Sequence, residues 1–404
     1  MDKYHPMQSD TILKVDFKLM DNFTFNTVSD IEFGAGFSSN LGKIISKMGL
    51  RKAFIVTDSG ILAHGLMDKA LSDLNKLKIS YEIFSNVTAD PPEEIVLDAC
   101  NRLILSKCDL VVGFGGGSSM DVAKIIAILA KEKQTLAEMY GVDNIVGTRL
   151  PLIQIPTTAG TGSEATMVSI ITTGRTTKAG AVSRVLLADK IILDPLLTLG
   201  LPSSITAATG VDAMVHAIEA FTSKRLKNPI SDMLAVEALK LMSKNIEMAV
   251  TDGQNINARS AMLIGAMKAG QAFANAPVAA VHALAYPLGG NYHIPHGLTN
   301  SLVLPHVMRF NMDDASKLYS ELAHVVLFDQ EVPQDEKQAS EMLVSYFENL
   351  PKRLGLQTTL REMNIPFEDL PRLAEEAMLQ QRLLINNPRE LNLENALEIY
   401  KQAY

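Results

Sequence analysis

The 404-residue sequence contains no tryptophan and only two cysteines. Cys100 and Cys108 have no second pair, so the sequence predicts neither a disulfide framework nor a zinc-finger cage. No uninterrupted apolar stretch is long enough to span a bilayer. Residues 1–30 mix Lys, Asp and His and lack the apolar segment of a secretory signal. We therefore expect a reduced, cytoplasmic protein that does not use a membrane as a partner.

The sequence also has no excess of basic residues, with 37 Lys and Arg against 45 Asp and Glu. The formal net charge is −8 at pH 7 and the isoelectric point is about 5.6. Nucleic-acid binding requires a basic face, so we expect no nucleic-acid partner. The apolar fraction of 47% fits a soluble enzyme with one or two large hydrophobic cores.

The first half of the chain alternates short β-rich runs with helical patterns. This βαβ rhythm predicts a mostly parallel sheet with helices on both faces. A hairpin and one further strand are expected between residues 167 and 194. The predicted strands are 51–57, 80–85, 108–114 and 150–156, and the predicted helices are 66–77 and 93–106, with a turn at 58–60 and another helix after Gly117.

Strand signals nearly vanish after Ser203, and long amphipathic patterns follow. The change predicts an α/β domain over residues 1–203 and an all-helical domain over residues 204–404. No low-complexity linker separates the halves, so we expect a large interface with a ligand cleft between them. The predicted helices are 207–223, 229–249, 257–275, 316–327, 336–354, 367–381 and 392–404.

A glycine-rich segment, residues 115–121, lies between a predicted strand and a predicted helix. Glycines let backbone N–H groups approach a phosphate, and the helix N-terminus adds a partial positive charge. The segment spells neither G-x-G-x-x-G nor a Walker A sequence. Ser118 and Asp121 have the spacing of a capping box, so a tight turn before a capped helix is the alternative interpretation. Three consecutive glycines favour pyrophosphate binding.

Asp58 follows an earlier strand, where a carboxylate can accept hydrogen bonds from a ribose and repel a 2′-phosphate. In a Rossmann fold such an acid follows the glycines, whereas Asp58 precedes them, so this role requires a different strand order. A solvated turn residue is the alternative. A second loop, residues 156–166, also follows a strand and offers several hydroxyls. Two such loops at one sheet edge favour a cofactor site.

Four side chains offer the donor atoms that a metal site requires. Asp212 and His216 are one helical turn apart, although such a pair is more often an ordinary polar contact. His282 and His296 are separated by two prolines and two glycines, so we expect them to converge through a chain that folds back as a loop. Three imidazoles and one carboxylate suit Fe²⁺ or Zn²⁺ rather than Mg²⁺ or Ca²⁺.

These motifs together resemble the iron-containing alcohol dehydrogenase family, in particular its lactaldehyde reductase and 1,3-propanediol dehydrogenase branch. The resemblance covers essentially the whole chain. The matching segments are residues 33–36, 115–118, 157–161, the Asp212/His216 pair, 295–297 and 387–389.

The resemblance implies a dehydroquinate synthase-like architecture, in which residues 1–203 form the α/β dinucleotide-binding domain and residues 204–404 form the all-helical metal-binding and catalytic domain. The active site is then expected in the cleft between them. The resemblance also implies that Asp212, His216, His282 and His296 hold Fe²⁺, with Zn²⁺ as the alternative, and that NAD is preferred to NADP. The implied cofactor-binding residues are Asp58, Gly116, Gly117, Ser118, Ser119, Met120, Asp121, Thr157, Thr158, Thr161, Thr166 and Lys178, the last at the nicotinamide ribose.

The sequence departs from the family pattern at two places. Some relatives carry a second histidine, proposed as a proton relay, where this chain has Tyr286; tyrosine is a poorer shuttle at neutral pH. His293 is an alternative relay, or an ordinary surface imidazole. Asp90 replaces an asparagine near the cofactor. Phe273 and Tyr286 are expected to wall the substrate pocket.

The expected function is a metal-dependent alcohol dehydrogenase that transfers hydride between a small primary alcohol or aldehyde and NAD. A homodimer or higher homo-oligomer is expected. A hydroxyacid–oxoacid transhydrogenase of the same family is the first alternative. A lyase such as dehydroquinate synthase shares the architecture, but it would need more basic residues to bind a phosphorylated substrate. The intact ligands and loops argue against a structural subunit with a vestigial site.

Overall fold

The computed structural model describes residues 22–174 and 177–404, and the structural statements below refer to those residues. Within this part of the chain, none of the helices combines the length and apolar character that crossing a bilayer requires.

The first half is built on a six-stranded, fully parallel sheet with strand order β1-β9-β6-β4-β2-β3. A second sheet has the order β5-β8-β7, in which β7 and β8 form an antiparallel hairpin. The strands are β1 (Ile31–Phe33), β2 (Lys52–Val56), β3 (Ser80–Phe84), β4 (Leu110–Gly115), β5 (Gly141–Val142), β6 (Leu152–Pro156), β7 (Val168–Thr173), β8 (Thr177–Val182) and β9 (Lys190–Leu193).

Helices cover both faces of the large sheet, as the βαβ rhythm predicts. Successive residues of β2 point to opposite faces of the sheet, and both faces are buried. Ile55 belongs to the core formed with α1 and α3, whereas Phe54 belongs to the core formed with α4 and α5. The helices of this half are α1 (Leu41–Lys47), α2 (Ser59–Ala63), α3 (Asp68–Lys76), α4 (Glu93–Ser106), α5 (Gly117–Leu129) and α6 (Leu136–Met139).

The strand order creates a crevice between β2 and β4. From β2 the chain passes outward to the edge strand β3 and then returns to β4 on the other side of β2. Ligands of open α/β sheets bind where the winding reverses in this way, beyond the carboxyl ends of the strands. Asp58 and the glycine-rich segment follow β2 and β4, so both lie at this crevice, and the order differs from the Rossmann order.

The second half is helical, and its helices share one large hydrophobic core. Leu263 and Met267 of α9 instead join a core of the sheet domain, so the two halves have a packed interface. The helices are α7 (Ser203–Thr222), α8 (Pro229–Thr251), α9 (Ile256–Asn275), α10 (Ala280–Tyr292), α11 (His296–Val326), α12 (Glu336–Arg353), α13 (Leu370–Met378), α14 (Gln381–Leu384) and α15 (Leu393–Gln402).

Three local predictions differ from the structure. The turn predicted at residues 58–60 is instead the start of α2. The Asp58 side chain caps this helix by accepting a hydrogen bond from the Ile61 N–H. The helix predicted at 316–327 is the end of the 31-residue α11. The first half of α11 contains Pro305 and buries polar as well as apolar side chains, so no apolar face marks it as a helix in the sequence. The helix predicted at 367–381 is interrupted after Met378.

Candidate active site

The four predicted metal-binding side chains converge at one point between three helices. Asp212 and His216 lie one turn apart on α7, His282 is in the first turn of α10, and His296 is the first residue of α11. One donor atom from each residue lies within 4.8 Å of all the others. The Asp212 Oδ1 atom is 3.9 Å from the Nε2 atoms of His216 and His282 and 3.7 Å from that of His296.

The route between His282 and His296 differs from the expected loop. Pro287, Gly289 and Gly290 lie inside α10, which continues as a helix to Tyr292. Tertiary packing outweighs the low helix propensity of these residues, since all three are buried. The reversal occupies only residues 293–295, where His293 has a φ of 53° and ends α10 in the left-handed conformation.

The electrostatics of this cluster fit a divalent cation. Burial lowers the pKa of His216 to about 4 and that of His296 to about 3, so both imidazoles are neutral at pH 7. Burial alone would raise the pKa of Asp212, but the three histidines and a hydrogen bond from Asn300 outweigh it and lower that pKa. Neutral imidazoles and an ionised carboxylate are the forms that bind metal ions.

Asn300, on α11, contacts the cluster and was not predicted from the sequence. Its Nδ2 atom lies 2.6 Å from Asp212 Oδ1 and 3.2–3.3 Å from the Nε2 atoms of His282 and His296. The side chain is fully buried, and its Oδ1 atom has no hydrogen-bond partner among the described residues. One amide group of Asn300 therefore contacts the donor atoms of three of the four predicted ligands.

Glu219 is the second unanticipated residue of the centre. Its Oε2 atom is 2.6 Å from His282 Nδ1, and its Oε1 atom accepts a hydrogen bond of 2.7 Å from the Val281 N–H. The sequence did contain a signal for it. Residues 212, 216 and 219 have the i, i+4, i+7 spacing that places three side chains on one face of a helix.

The expected pocket walls contact the cluster, whereas one relay candidate does not. Phe273 stacks on His216 with ring centroids 4.4 Å apart, and the Tyr286 ring is 6.0 Å from that of His296. Burial raises the pKa of Tyr286, so its hydroxyl keeps its proton at neutral pH. His293 is exposed at the end of α10 and is not among the residues that line the cavity.

The two cofactor loops touch each other, as their shared sheet edge predicts. A Cβ atom on Gly117 would lie 2.8 Å from Thr161, and one on Gly116 would lie 3.8 Å from Thr158. Only a residue without a side chain fits at Gly117 without moving the side chain of Thr161. Gly116 is the N-terminal cap residue of α5, whose first turn faces this contact.

The capping-box interpretation of Ser118 and Asp121 is wrong. No side chain caps α5. Asp121 instead contacts the second loop and β7, where it accepts hydrogen bonds from Ser163 Oγ at 2.5 Å and from the Ile170 N–H at 2.9 Å. Its role is to connect α5 to these segments.

A buried lysine also holds the second loop. Lys124 of α5 has no exposed surface, and its Nζ donates hydrogen bonds to Ser163 Oγ, Thr166 Oγ1 and the Val168 carbonyl at 2.7–3.1 Å. Burial lowers the pKa of Lys124 to about 8, and burial raises that of the neighbouring Glu164 to about 7. No periodic pattern in the sequence marks this network, because its members lie on different elements.

The remaining predicted residues lie around the same region. A Cβ atom on Gly115 would be 3.6 Å from Asp58 Oδ2, which places Asp58 beside the glycine-rich segment. Lys178 Nζ donates a hydrogen bond of 2.6 Å to Asp90 Oδ1 and lies 5.9 Å from the centroid of the Tyr286 ring. The aspartate at position 90 thus forms an ion pair with the predicted ribose-binding lysine.

One cavity of about 1200 Å³ joins the histidine cluster to the cofactor loops. Of the predicted residues, its walls include Gly117, Ser118, Asp121, Thr161, Thr166, Lys178, His216, Phe273, His282, Tyr286 and His296. Ser119, Met120 and Thr157 are buried and are not among the lining residues, and neither are Asp58, Gly116 and Thr158.

Comparison with known proteins identifies the family. The profile of the iron-containing alcohol dehydrogenases matches residues 29–195, and the C-terminal profile of the same family matches residues 206–404. The long-chain-alcohol dehydrogenase 1 of Geobacillus thermodenitrificans is 38% identical over 94% of this chain and 96% of its own length. The chain belongs to the iron-containing alcohol dehydrogenase family.

Solved structures of iron-containing alcohol dehydrogenases have the same fold. A 1,3-propanediol oxidoreductase superposes with a TM-score of 0.91 at 34% identity and covers 95% of this chain and 100% of its own. A sulfoacetaldehyde reductase from Bifidobacterium kashiwanohense, solved in complex with NAD⁺, has a TM-score of 0.85 at 30% identity and covers 95% of this chain and 99% of its own. The predicted fold class is therefore confirmed, and the chain is an oxidoreductase that acts on CH–OH groups.

Proposed function

We propose that this protein interconverts small primary alcohols and aldehydes, with NAD as hydride carrier and Fe²⁺ as its catalytic metal. The observation that carries the proposal is the single cavity that joins the three histidines of the cluster to the glycine-rich segment. A metal site alone is compatible with many reactions. A metal site that opens onto a phosphate-binding loop is suited to hydride transfer with a dinucleotide.

We assign Asp212, His216, His282 and His296 as the metal ligands, with Zn²⁺ as the alternative ion. Three neutral nitrogens and one carboxylate oxygen form a donor set that these borderline ions favour. A bound divalent ion supplies Lewis-acid polarisation of the substrate oxygen, and NAD supplies the hydride acceptor. Asn300 keeps Asp212 oriented towards the imidazoles through its 2.6 Å hydrogen bond.

The pocket walls orient the substrate and exclude water. Phe273 fixes the plane of His216 by stacking on it, and Tyr286 provides an apolar ring with a protonated hydroxyl beside His296. The hydroxyl of Tyr286 can donate a hydrogen bond to a substrate oxygen, but its raised pKa makes it a poor general base at pH 7. We assign no relay role to His293, which is exposed.

The two loops are proposed to hold NAD. The backbone N–H groups at Gly116, Gly117 and Ser118 begin α5, where a pyrophosphate is favoured by the helix dipole. Thr161 and Thr166 line the nicotinamide side of the cavity together with Lys178. Asp121 lines the same cavity, and Ser119, Met120, Thr157 and Thr158 support these groups from positions that do not line it.

Three predictions about the whole protein are retained as proposals. The domain boundary lies near residue 203, in the short connection between β9 and α7. The enzyme works in the cytoplasm, in keeping with its two unpaired, buried cysteines. It assembles as a homodimer or a higher homo-oligomer.

The function is tested with anaerobically purified protein. We expect close to one divalent iron per chain and NAD-linked turnover of at least one primary alcohol and its aldehyde. The panel contains methanol, 1,3-propanediol, a long-chain alcohol and sulfoacetaldehyde, since relatives carry these names, together with 2-hydroxy acids. Turnover of 2-hydroxy acids alone would contradict the proposal. Tightly retained NAD with no turnover of added NAD would favour the transhydrogenase.

The NAD preference is proposed to depend on Asp58. Because its carboxylate repels a 2′-phosphate at the crevice between β2 and β4, Asp58→Gly should lower the KM for NADP at least tenfold, corresponding to about 1.4 kcal/mol. Steady-state kinetics with both cofactors measure the change. Asp68→Gly, at the start of α3, is the control for loss of an exposed carboxylate in the same half of the chain. An unchanged NADP KM in Asp58→Gly would remove the basis of the assignment.

A further inference from the structure

We infer that Glu219 is a positioning residue of the metal centre, which fixes the ring of His282 and joins α10 to α7. The inference rests on the proposed metal site. Glu219 is the third residue on the face of α7 that carries Asp212 and His216. It is almost fully buried, with 3% of its surface exposed. Its two carboxylate oxygens contact two different groups of α10.

The first contact sets the tautomer of His282. The Nε2 atom of this ring faces Asp212 Oδ1 and the other donors, so its lone pair must be free if it is to bind a metal. The proton must then be on Nδ1, which lies 2.6 Å from Glu219 Oε2. A carboxylate accepts that N–H, holds the ring plane and increases the basicity of the opposite nitrogen.

The second contact fixes the start of the helix that carries His282. The first backbone N–H groups of a helix have no partner within it. At α10 the cap residue, Ala279, provides no side-chain hydrogen bond. Glu219 Oε1 accepts from the Val281 N–H instead, and a carboxylate is also favoured by the positive end of the helix dipole. One side chain of α7 therefore sets both the position of α10 and the orientation of its metal ligand.

The charges of the site are consistent with this role. Among the described residues, Glu219 forms no ion pair with lysine or arginine, and His282 is the one basic side chain within ion-pair distance. Burying a carboxylate without a compensating cation is unfavourable. Glu219 and Asp212 together carry two negative charges, which a divalent ion between the ligands would balance.

The experiment measures metal affinity rather than turnover. Metal-free protein is titrated with Co²⁺ and Zn²⁺ in wild type, Glu219→Gln and Glu219→Asp, and the Co²⁺ absorption spectrum is recorded. Glutamine has the same size, but it loses the charge and cannot accept at both positions. We expect Glu219→Gln to weaken both metals 10- to 100-fold. Aspartate keeps the charge but is too short to reach both groups, so its loss should be smaller.

Asp194→Asn is the matched control. Asp194 is an equally buried carboxylate that accepts hydrogen bonds from Gly36 and Ser38, and none of its described hydrogen bonds involves a histidine. It should lower the thermal midpoint without changing metal affinity or the Co²⁺ spectrum. If Glu219→Gln does not fold, the metal affinity of Glu219→Asp is compared with those of wild type and Asp194→Asn instead.

Two outcomes separate this inference from the proposed function. Metal affinities of the Glu219 variants within twofold of wild type would overturn the positioning role while leaving the alcohol dehydrogenase assignment intact. Weaker metal binding in the variants, in a wild-type protein that turns over no alcohol, would support the positioning role and remove the proposed activity.

Discussion

Replacing His282 with alanine is expected to lower kcat by a factor on the order of 1000 or more, since a Lewis-acid metal contributes several kcal/mol of transition-state stabilisation. His282 supplies one of the four donor atoms that lie within 4.8 Å of one another. Its removal also leaves the Glu219 carboxylate buried without its imidazole partner. The variant should therefore lose most of its bound iron as well as its activity.

Metal content and turnover must be measured on the same preparation. His64→Ala is the control, because His64 is an exposed histidine at the end of α2, in the other half of the chain. The control should retain wild-type iron content and kcat. Wild-type iron content in His282→Ala would contradict the ligand assignment. Lost iron with unchanged turnover would instead contradict the catalytic role of the metal.

Gly297→Ala is the second substitution from which we expect a large effect. A Cβ atom at this position would lie 2.3 Å from the Ala208 carbonyl oxygen and 3.2 Å from the Cβ of Asp212. The obstructing atom belongs to the backbone of α7, so it cannot move as a flexible side chain would. The substitution must push α11 and α7 apart at the point where His296 and Asp212 meet.

The expected cost in unfolding free energy is about 1–3 kcal/mol, which is typical of overpacked cores. Because a displacement of about 1 Å at a reacting centre costs on the order of 100-fold, kcat should fall by a similar factor. Urea denaturation and steady-state kinetics measure the two effects. Gly200→Ala is the control, since no atom lies within 4 Å of the position its Cβ would take. A Gly297→Ala protein as stable and active as Gly200→Ala would show that the helices accommodate the methyl group.

Much of the fold was predictable because the relevant signals are local. The alternation of β-rich and helical runs predicts a buried parallel sheet, and the bounds of α4 agree with the prediction at both ends. The crevice position of Asp58 and of the glycine-rich segment followed from their places after two strands. Element ends set by tertiary contacts were not predictable, as the extension of α11 from residue 296 illustrates.

The candidate site was predictable where it uses uncommon residue types at a distinctive spacing. Two histidines near prolines and glycines, together with an Asp/His pair, stand out among eight histidines. The groups that support them do not stand out. Asn300 and Lys124 are ordinary residues of helical segments, and only their contacts with Asp212 and with the second loop reveal what they hold.

The sequence by itself determined which donor atoms are present and which loops follow the strands, since residue type and local spacing decide both. The tertiary structure alone decided how those donors meet. It kept α10 helical through Pro287, reversed the chain in three residues and placed Glu219 opposite His282. These features depend on contacts between residues far apart in the chain, and local sequence preferences carry no information about them.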